Sequence, residues 1–347
     1  MLYIDMDYFF AACEEVRHPE LKGRPLVVGS SPDADKLRGV VQTCNYEARA
    51  FGVHSAMRTS DAYKLNPNMP YIQADWGYYE DISKGIMGLL SEYRARMEAD
   101  SIDEAALELE VDGYDGALRV GAEIKRKIKE RFGLPCTIGI SSGKVLAKMV
   151  CDSAKPDGLR AVEDGKIVHF LKDKPVGKIP GVGKKTEERL AAIGVRTIGE
   201  LARADPMVLI DRLGSFGKEL FTLANGTDGS SVVENANVIS IGRERTLDRN
   251  AHQMQDIDDM IRKLTKEVMA EVKRNNFVFK SVGVKARYSD FTDRLKSRSL
   301  NNYSDSEELV LKTATSLLRE LVRGKPVRKI GVRVSALASR GGQKSLF

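Results

Sequence analysis

The chain has four cysteines, Cys13, Cys44, Cys136 and Cys151, and no two of them form a C-x-x-C pair. That scatter indicates neither a zinc knuckle nor a disulfide framework. Reduced thiols in a cytoplasmic setting are the simplest expectation. Long apolar runs are missing too. Nothing approaches the ~20 residues that a membrane span needs. Asp5 and Asp7 interrupt the only candidate leader at the N-terminus, so neither a membrane anchor nor a signal peptide is expected. What remains is the composition of a soluble multidomain protein, with 42% hydrophobic and 30% charged residues in 347.

Charge is present in both signs but is unevenly placed. From Asn237 onward, 23 lysines and arginines face 13 acids, a net of +10 that leaves the rest of the chain at −4 within a total of +6. A basic C-terminal third on a mildly acidic body points to a module that binds a polyanion. A merely solubilising surface would not need such segregation.

The stretch Ser101-Ile102-Asp103-Glu104-Ala105 is the chemical focus. Neighbouring side chains on a strand point to opposite faces, so two adjacent carboxylates can meet one cation only at a tight turn or a strand end. Left uncompensated, the pair would repel and raise a pKa. Taken alone it reads as an acidic surface turn. A second acidic strand end changes the balance. Leu2 to Ile4 have strand propensity, Asp5 and Asp7 follow on one face, and Tyr8 to Val16 read as a helix. A strand running into a helix leaves free N–H groups, a natural phosphate seat, although Asp5 by itself would also serve as an N-cap.

The chain continues in alternation. A turn at Gly23 leads to a short strand, residues 31–38 form a polar loop, and a helix places Tyr46 and Arg49 on one face, suited to gripping phosphate or simply to stacking. Helices are expected over 75–96, 114–132 and 144–153, with a strand over 134–140, giving an α+β layer with acidic tips on its central strands. Ile179-Pro180-Gly181-Val182-Gly183-Lys184, followed by Leu190 and Gly194, resembles a helix-hairpin-helix. Its glycines let backbone N–H groups approach a nucleic-acid phosphate closely.

Residues 227–236 are small and polar, and read as a linker. Beyond them the pattern is β-α-β-β-α-β, with Arg243 and Arg245, Lys285 and Arg287, and Arg294, Lys296 and Arg298 alternating along strands. Each set has its cations on one strand face, and a sheet face tiled with Arg and Lys, Arg333 included, suits a duplex. The tail ends in Gln343, Leu346 and Phe347, a short docking peptide.

In order and spacing, Asp5-Met-Asp-Tyr-Phe-Phe10, Cys44-Asn-Tyr-Glu-Ala-Arg49, Ser101 to Ala105, Leu146-Ala-Lys148, Lys155-Pro156 and Ile179 to Gly183 resemble the Y-family DNA polymerases over nearly the whole chain. The resemblance implies an α+β multidomain right-hand polymerase. It assigns a palm to 1–10 and 75–164, fingers to 11–74, a helical thumb to 165–227, a linker to 228–236, a βαββαβ little finger to 237–338 and a clamp-binding tail to 339–347. It implies template-directed translesion synthesis with low fidelity and low processivity. Two Mg²⁺ ions, for which Mn²⁺ can substitute, would be held by Asp5, Asp103, Glu104 and the Met6 carbonyl. The backbone amides of Tyr8, Phe9 and Phe10, with Thr43, Tyr46, Arg49 and Lys155, would hold the deoxynucleoside triphosphate, and Phe10 takes the steric-gate position. Gly181, Gly183, Lys184 and the sheet cations would hold primer-template DNA. The tail matches the sliding-clamp pentapeptide Gln-x-Ser-Leu-Phe, and a monomer is expected. Four positions depart from the family pattern: Gln42, Arg58, Ala106, where an aromatic residue is common, and Gly143, where Asn is frequent.

Two other readings compete. A DNA-binding scaffold with a dead site would use the hairpin, the basic sheet and the clamp peptide, but has no need of three converging carboxylates. A nucleotide cyclase on a related palm would need no duplex grip.

Overall fold

The computed structural model describes residues 1–29, 39–234, 238–322 and 324–340, in two compact units, Met1–Asn235 and Ala236–Phe347. In the first unit the strands are β1 (Leu2–Met6), β2 (Val27–Gly29), β3 (Val41–Cys44), β4 (Tyr71–Gln73), β5 (Ala95–Ala99), β6 (Glu104–Leu109), β7 (Cys136–Ile140) and β8 (Leu159–Ala161). Its helices are α1 (Phe9–Arg17), α2 (Tyr46–Arg49), α3 (Thr59–Leu65), α4 (Trp76–Ser91), α5 (Gly113–Phe132), α6 (Lys144–Ala154), α7 (Asp164–Leu171), α8 (Lys184–Ala191), α9 (Ile198–Arg203), α10 (Pro206–Leu213) and α11 (Ser215–Ala224).

The main sheet has the order β5-β6-β1-β7-β8. β1 lies at its centre, antiparallel to β6 and β7, and is covered on both faces, which is why it carries no exposed residue. Leu2, Ile4 and Met6 join Ile86, Leu89, Ile124 and Ile128 of α4 and α5 in one core. On the opposite face Tyr3 packs with Ala106, Ala147 and Cys151. Gly139 is required there. A Cβ on it would stand 2.1 Å from the Cys151 nitrogen, so α6 crosses β7 with no room for a side chain.

The helix expected over 75–96 stops at Ser91, and Ala95–Ala99 is strand β5. Pairing with β6, from Ala95↔Leu109 to Ala99↔Ala105, satisfies this backbone in a hairpin and overrides local helix propensity. The strand β8 has no counterpart in the sequence reading, whereas the short helices α7 and α9 to α11, not expected one by one, fill the segment expected to be helical over 165–227. The first unit also contains a three-stranded sheet ordered β3-β2-β4, with Val27, Val41, Ala48 and Val53 in its core. The helices α7 to α11 gather around Leu171, Leu190, Leu201 and Leu220.

Residues 228–233 do not hang free as a linker composition suggested. Asp228 Oδ2 accepts from the Val145 and Leu146 amides at 2.7 and 3.1 Å, capping α6 from outside it. Val232 is fully buried beside Tyr3 and Ala106. Of the remaining linker residues, Glu234 is exposed, and 235 and 236 lie outside the described set.

The second unit consists of β9 (Ser240–Ala251), α12 (Asp258–Arg274), β10 (Phe277–Tyr288), β11 (Asp293–Ser304), α13 (Glu307–Leu321) and β12 (Val327–Ser339). This is the expected βαββαβ, folded as an antiparallel sheet ordered β11-β10-β12-β9. Val282, Val284, Val332 and Val334 pack on Leu264, Val268, Ala314 and Leu318, so both helices lie on one face and the other is open. Among the described residues no helix is long and apolar enough to cross a membrane.

Candidate active site

Asp5 and Glu104 are cross-strand partners in the β1–β6 ladder. Residues opposed in an antiparallel pair point to the same face, so the two carboxylates meet. Asp103 sits one residue before β6, and its carbonyl accepts from the Met6 amide at 2.9 Å. Ser83 donates to the Ile102 carbonyl at 2.5 Å, and Ser101 donates to Asp103 Oδ1 at 2.5 Å. The turn at the strand end required by the adjacent acids is therefore present and braced from two sides.

Each carboxylate has its own partner. Lys155 Nζ is 2.5 Å from Asp5 Oδ2. Lys148 Nζ is 2.8 Å from Glu104 Oε1 and donates to the Tyr3 hydroxyl at 2.8 Å. Burial pushes the Asp5 carboxyl up to about 7, against the pull of Lys155 and with help from Glu104. Burial raises Asp103 as well, opposed by Ser101 and reinforced by Glu104. Glu104 is also penalised by burial, but Lys148 and its bond to Asp5 hold it below the ordinary value. The close pair thus pushes its two carboxyls apart, Asp5 upward and Glu104 downward.

Among the described residues no three carboxylate, imidazole or thiolate groups converge on one point as they stand. The ligand set still fits a hard divalent cation: its donors are all oxygens, partly buried, and short of positive charge. A cation held there would compete with Ser101 for Asp103 and with Lys155 for Asp5. Lys148 appeared in the sequence only as part of a motif; its hold on Glu104 is a site function that the sequence reading missed. Asp7 is taken up elsewhere, accepting from the Thr137 hydroxyl at 2.9 Å and the Asp157 amide at 2.7 Å. It ties the segment that carries Lys155 to the sheet.

The residues expected to hold phosphate lie beside these acids. Tyr8 precedes α1 with φ of 39°, and the first N–H groups of that helix, at Phe9 and Phe10, have no intrahelical partner. Tyr8 meets Tyr46 edge to face at 5.4 Å, and the Arg49 guanidinium lies 4.7 Å over the Tyr46 ring. Thr43 is buried in β3, the neighbouring strand. Phe9 is buried in the core, whereas Phe10 is half-buried; it stacks on Tyr79 and meets Trp76 edge-on at 5.2 Å.

Gly181, at φ of 88°, makes the hairpin turn, and Gly183 and Lys184 are exposed at the start of α8. The cations of the C-terminal sheet do not share one face, which corrects the sequence expectation. Arg243 and Arg245 have the same parity as the buried Ile241 and Leu247, and they pair with Glu271 and Glu267 of α12. Lys296 and Arg298 lie opposite the buried Val284 and Val282, and Lys296 pairs with Glu320 of α13. The open face instead carries Lys285, Arg287 and Arg333. Lys285 and Arg287 are balanced by Glu244 and Asp293. Gln343, Leu346 and Phe347 lie outside the described residues.

Three segments match known families: the impB/mucB/samB family over residues 4–152, its HHH motif over 165–195 and its C-terminal domain over 238–346. DNA polymerase IV of Methanoculleus marisnigri is 40% identical over 97% of this chain and 94% of its own length. DNA polymerase IV of Lactococcus lactis subsp. cremoris is 38% identical over 96% of this chain and 93% of its own. A solved Y-family DNA polymerase chimera of Dbh and Dpo4 superposes with a TM-score of 0.90 at 30% identity, covering 97% of this chain and 99% of that one. An insertion ternary complex of Dbh DNA polymerase gives 0.69 at 31% identity, with the same coverage.

Proposed function

Because this chain belongs to the Y-family DNA polymerases of the DNA polymerase IV type, we propose that Asp5, Asp103 and Glu104, with the Met6 carbonyl, hold its catalytic metals. The protein is a DNA-directed DNA polymerase of the translesion type, with the family's palm, fingers, thumb and little finger. It acts on primer-template DNA with deoxynucleoside triphosphates, and its family depends on divalent metal ions. Two-metal transfer, low fidelity, low processivity and lesion bypass are features of that family. The observation that carries the metal assignment is the register Asp5↔Glu104 with Asp103 braced at the adjoining turn.

We assign the metals as two Mg²⁺ per site, with Mn²⁺ as a substitute. Bound there, they would neutralise phosphate charge and lower the pKa of the primer 3′-hydroxyl. The chain's own groups do the rest. The Tyr8, Phe9 and Phe10 amides at the start of α1 seat phosphate oxygens. Thr43, Tyr46, Arg49 and Lys155 grip the triphosphate. Phe10 lies beneath the sugar and rejects a 2′-hydroxyl. Lys148 orients Glu104.

Gly181, Gly183 and Lys184 fit a duplex backbone, and Lys285, Arg287 and Arg333 belong to the open little-finger face; Arg243, Arg245 and Lys296 serve the sheet–helix contact first, and Arg298 lies on their side of the sheet. The tail at Gln343, Leu346 and Phe347 is assigned to a sliding clamp on its sequence. We take the protein to act as a monomer in the cytoplasm, where its four free, buried cysteines stay reduced.

Primer extension tests the metal assignment. Asp103→Ala and Glu104→Ala should each slow nucleotide addition about a thousandfold, the equivalent of ~4 kcal/mol. Unaltered extension by either variant would overturn it.

A further inference from the structure

A line of charged side chains runs from the catalytic turn to the segment that leads out of the first unit. Lys148 bonds Glu104 and the Tyr3 hydroxyl, both at 2.8 Å. That hydroxyl donates to Asp100 Oδ2 at 2.8 Å. Lys144 bonds Asp100 Oδ1 and Glu98 Oε1, both at 2.8 Å. Glu98 Oε2 accepts from the Val233 amide at 2.9 Å. Every member therefore has a charge-assisted partner on each side. Lys144 and Glu98 keep only 17% and 18% of their side-chain surface exposed, so solvent screens these bonds incompletely.

The far end of this line is a docked strap. Asp228 caps α6, the helix that carries both Lys144 and Lys148. Arg96 donates to the Val232 carbonyl at 2.8 Å, and Val232 itself packs on Tyr3. Two routes, one ionic and one apolar, thus meet at Tyr3, whose hydroxyl touches the lysine that holds Glu104. From Val233 the chain runs on to the C-terminal unit, whose first strand begins at Ser240.

We propose that Glu98, Asp100 and Lys144 are positioning residues that couple seating of the 228–233 strap to the orientation of Glu104, so that the tether of the DNA-binding unit is read at the active site. They touch neither substrate nor metal; they act through Tyr3 and Lys148. The inference rests on Glu104 being a metal-holding carboxylate, as argued above. Because coupling between two sites is reciprocal, a change at either end must be felt at the other.

Amide exchange over residues 228–234 and single-turnover primer extension test it together, on the full chain. Lys148→Met should speed exchange of the strap, although among the described residues no hydrogen bond or ion pair joins Lys148 to the strap. Glu98→Gln should slow extension about tenfold, the size of effect seen for outer-shell groups, with primer-template affinity unchanged. Lys144→Met should do both and Lys144→Arg should restore both. The double variant Glu98→Gln/Lys148→Met should be no slower than Lys148→Met alone, since residues in one network do not act additively. Strap exchange unmoved by Lys148→Met, or rate losses that simply multiply in the double variant, would overturn the proposal. The exchange measurement needs no turnover, so its failure is separable from a failure of the polymerase assignment.

Discussion

The Phe10 ring stacks on the Tyr79 ring with centroids 4.5 Å apart and planes within 12°. Tyr79 is fully buried and donates its hydroxyl to Glu14 at 2.6 Å, so the surface under Phe10 is fixed. Trp76 closes the other side edge-on. A ring held from two directions cannot swing aside for a 2′-hydroxyl. Phe10→Ala should therefore raise ribonucleotide incorporation about a hundredfold relative to deoxynucleotide. Trp76→Ala, which removes one wall from a half-exposed position, should raise it less than tenfold. Competition between the two nucleotide types in single-turnover extension reads both; unaltered sugar selection in Phe10→Ala would refute the gate.

Much of this site was legible because its signals are local. Acidic residues at two strand ends and an Arg three residues after a Tyr need only periodicity to be read. The role of Lys148 was not legible, since it depends on where α6 crosses the sheet, and that crossing is set by Gly139. Ala106 and Gly143, which looked like departures without a cause, gain one from a segment far away in sequence. Val232 packs beside Ala106, and Asp228 occupies the space at Gly143. The side taken by Arg243 was recoverable: Ile241 and Leu247 share its parity and mark the covered face. Parity within one strand shows which side chains share a face; only the buried residues of the same parity show which face that is.

Gly143 and Asp228 form an exchangeable pair. A Cβ at position 143 would lie 2.3 Å from the Asp228 carboxylate, yet position 143 is itself the N-cap site of α6, with extended φ and ψ. Asp228→Ala should remove the cap and cost ~1 kcal/mol, about 2–4 °C in melting temperature for a unit of this size. Gly143→Asn should also destabilise, by collision. The double variant should recover most of the loss, because Asn is a good N-cap once Asp228 is gone. Additive losses in thermal unfolding would show that the two residues are independent.

Proton release should accompany metal binding. Burial raises Asp5 to about 7 from an ordinary 3.8, so at neutral pH part of the metal-free site carries a proton that a cation displaces. Apparent Mn²⁺ affinity should then rise by up to about tenfold per pH unit below 7 and level off above it. The stability term has the opposite sign. Because the folded value exceeds the unfolded one, the metal-free fold loses stability as pH rises from 3.8 toward 7, and saturating metal removes that loss. Calorimetric titration in two buffers of different ionisation enthalpy measures the released proton; affinity that is flat from pH 6 to 8 would contradict the assignment.

Arg333 separates the two roles of the basic C-terminal unit. It is exposed on the open sheet face between Gly242 and Gly283, its neighbours in β9 and β10. No carboxylate pairs with it among the described salt bridges, whereas Arg243 is held by Glu271 of α12. An unpaired arginine between two residues without side chains is free to meet a phosphate, and such a contact contributes about one unit to the salt dependence of binding. Arg333→Ala should weaken primer-template binding several-fold and lower the slope of log affinity against log salt by about one. Arg243→Ala should leave that slope unchanged and lower thermal stability instead, because it strands Glu271 beside the sheet. Equal slopes for the two variants would show that the open face is not where this unit meets DNA.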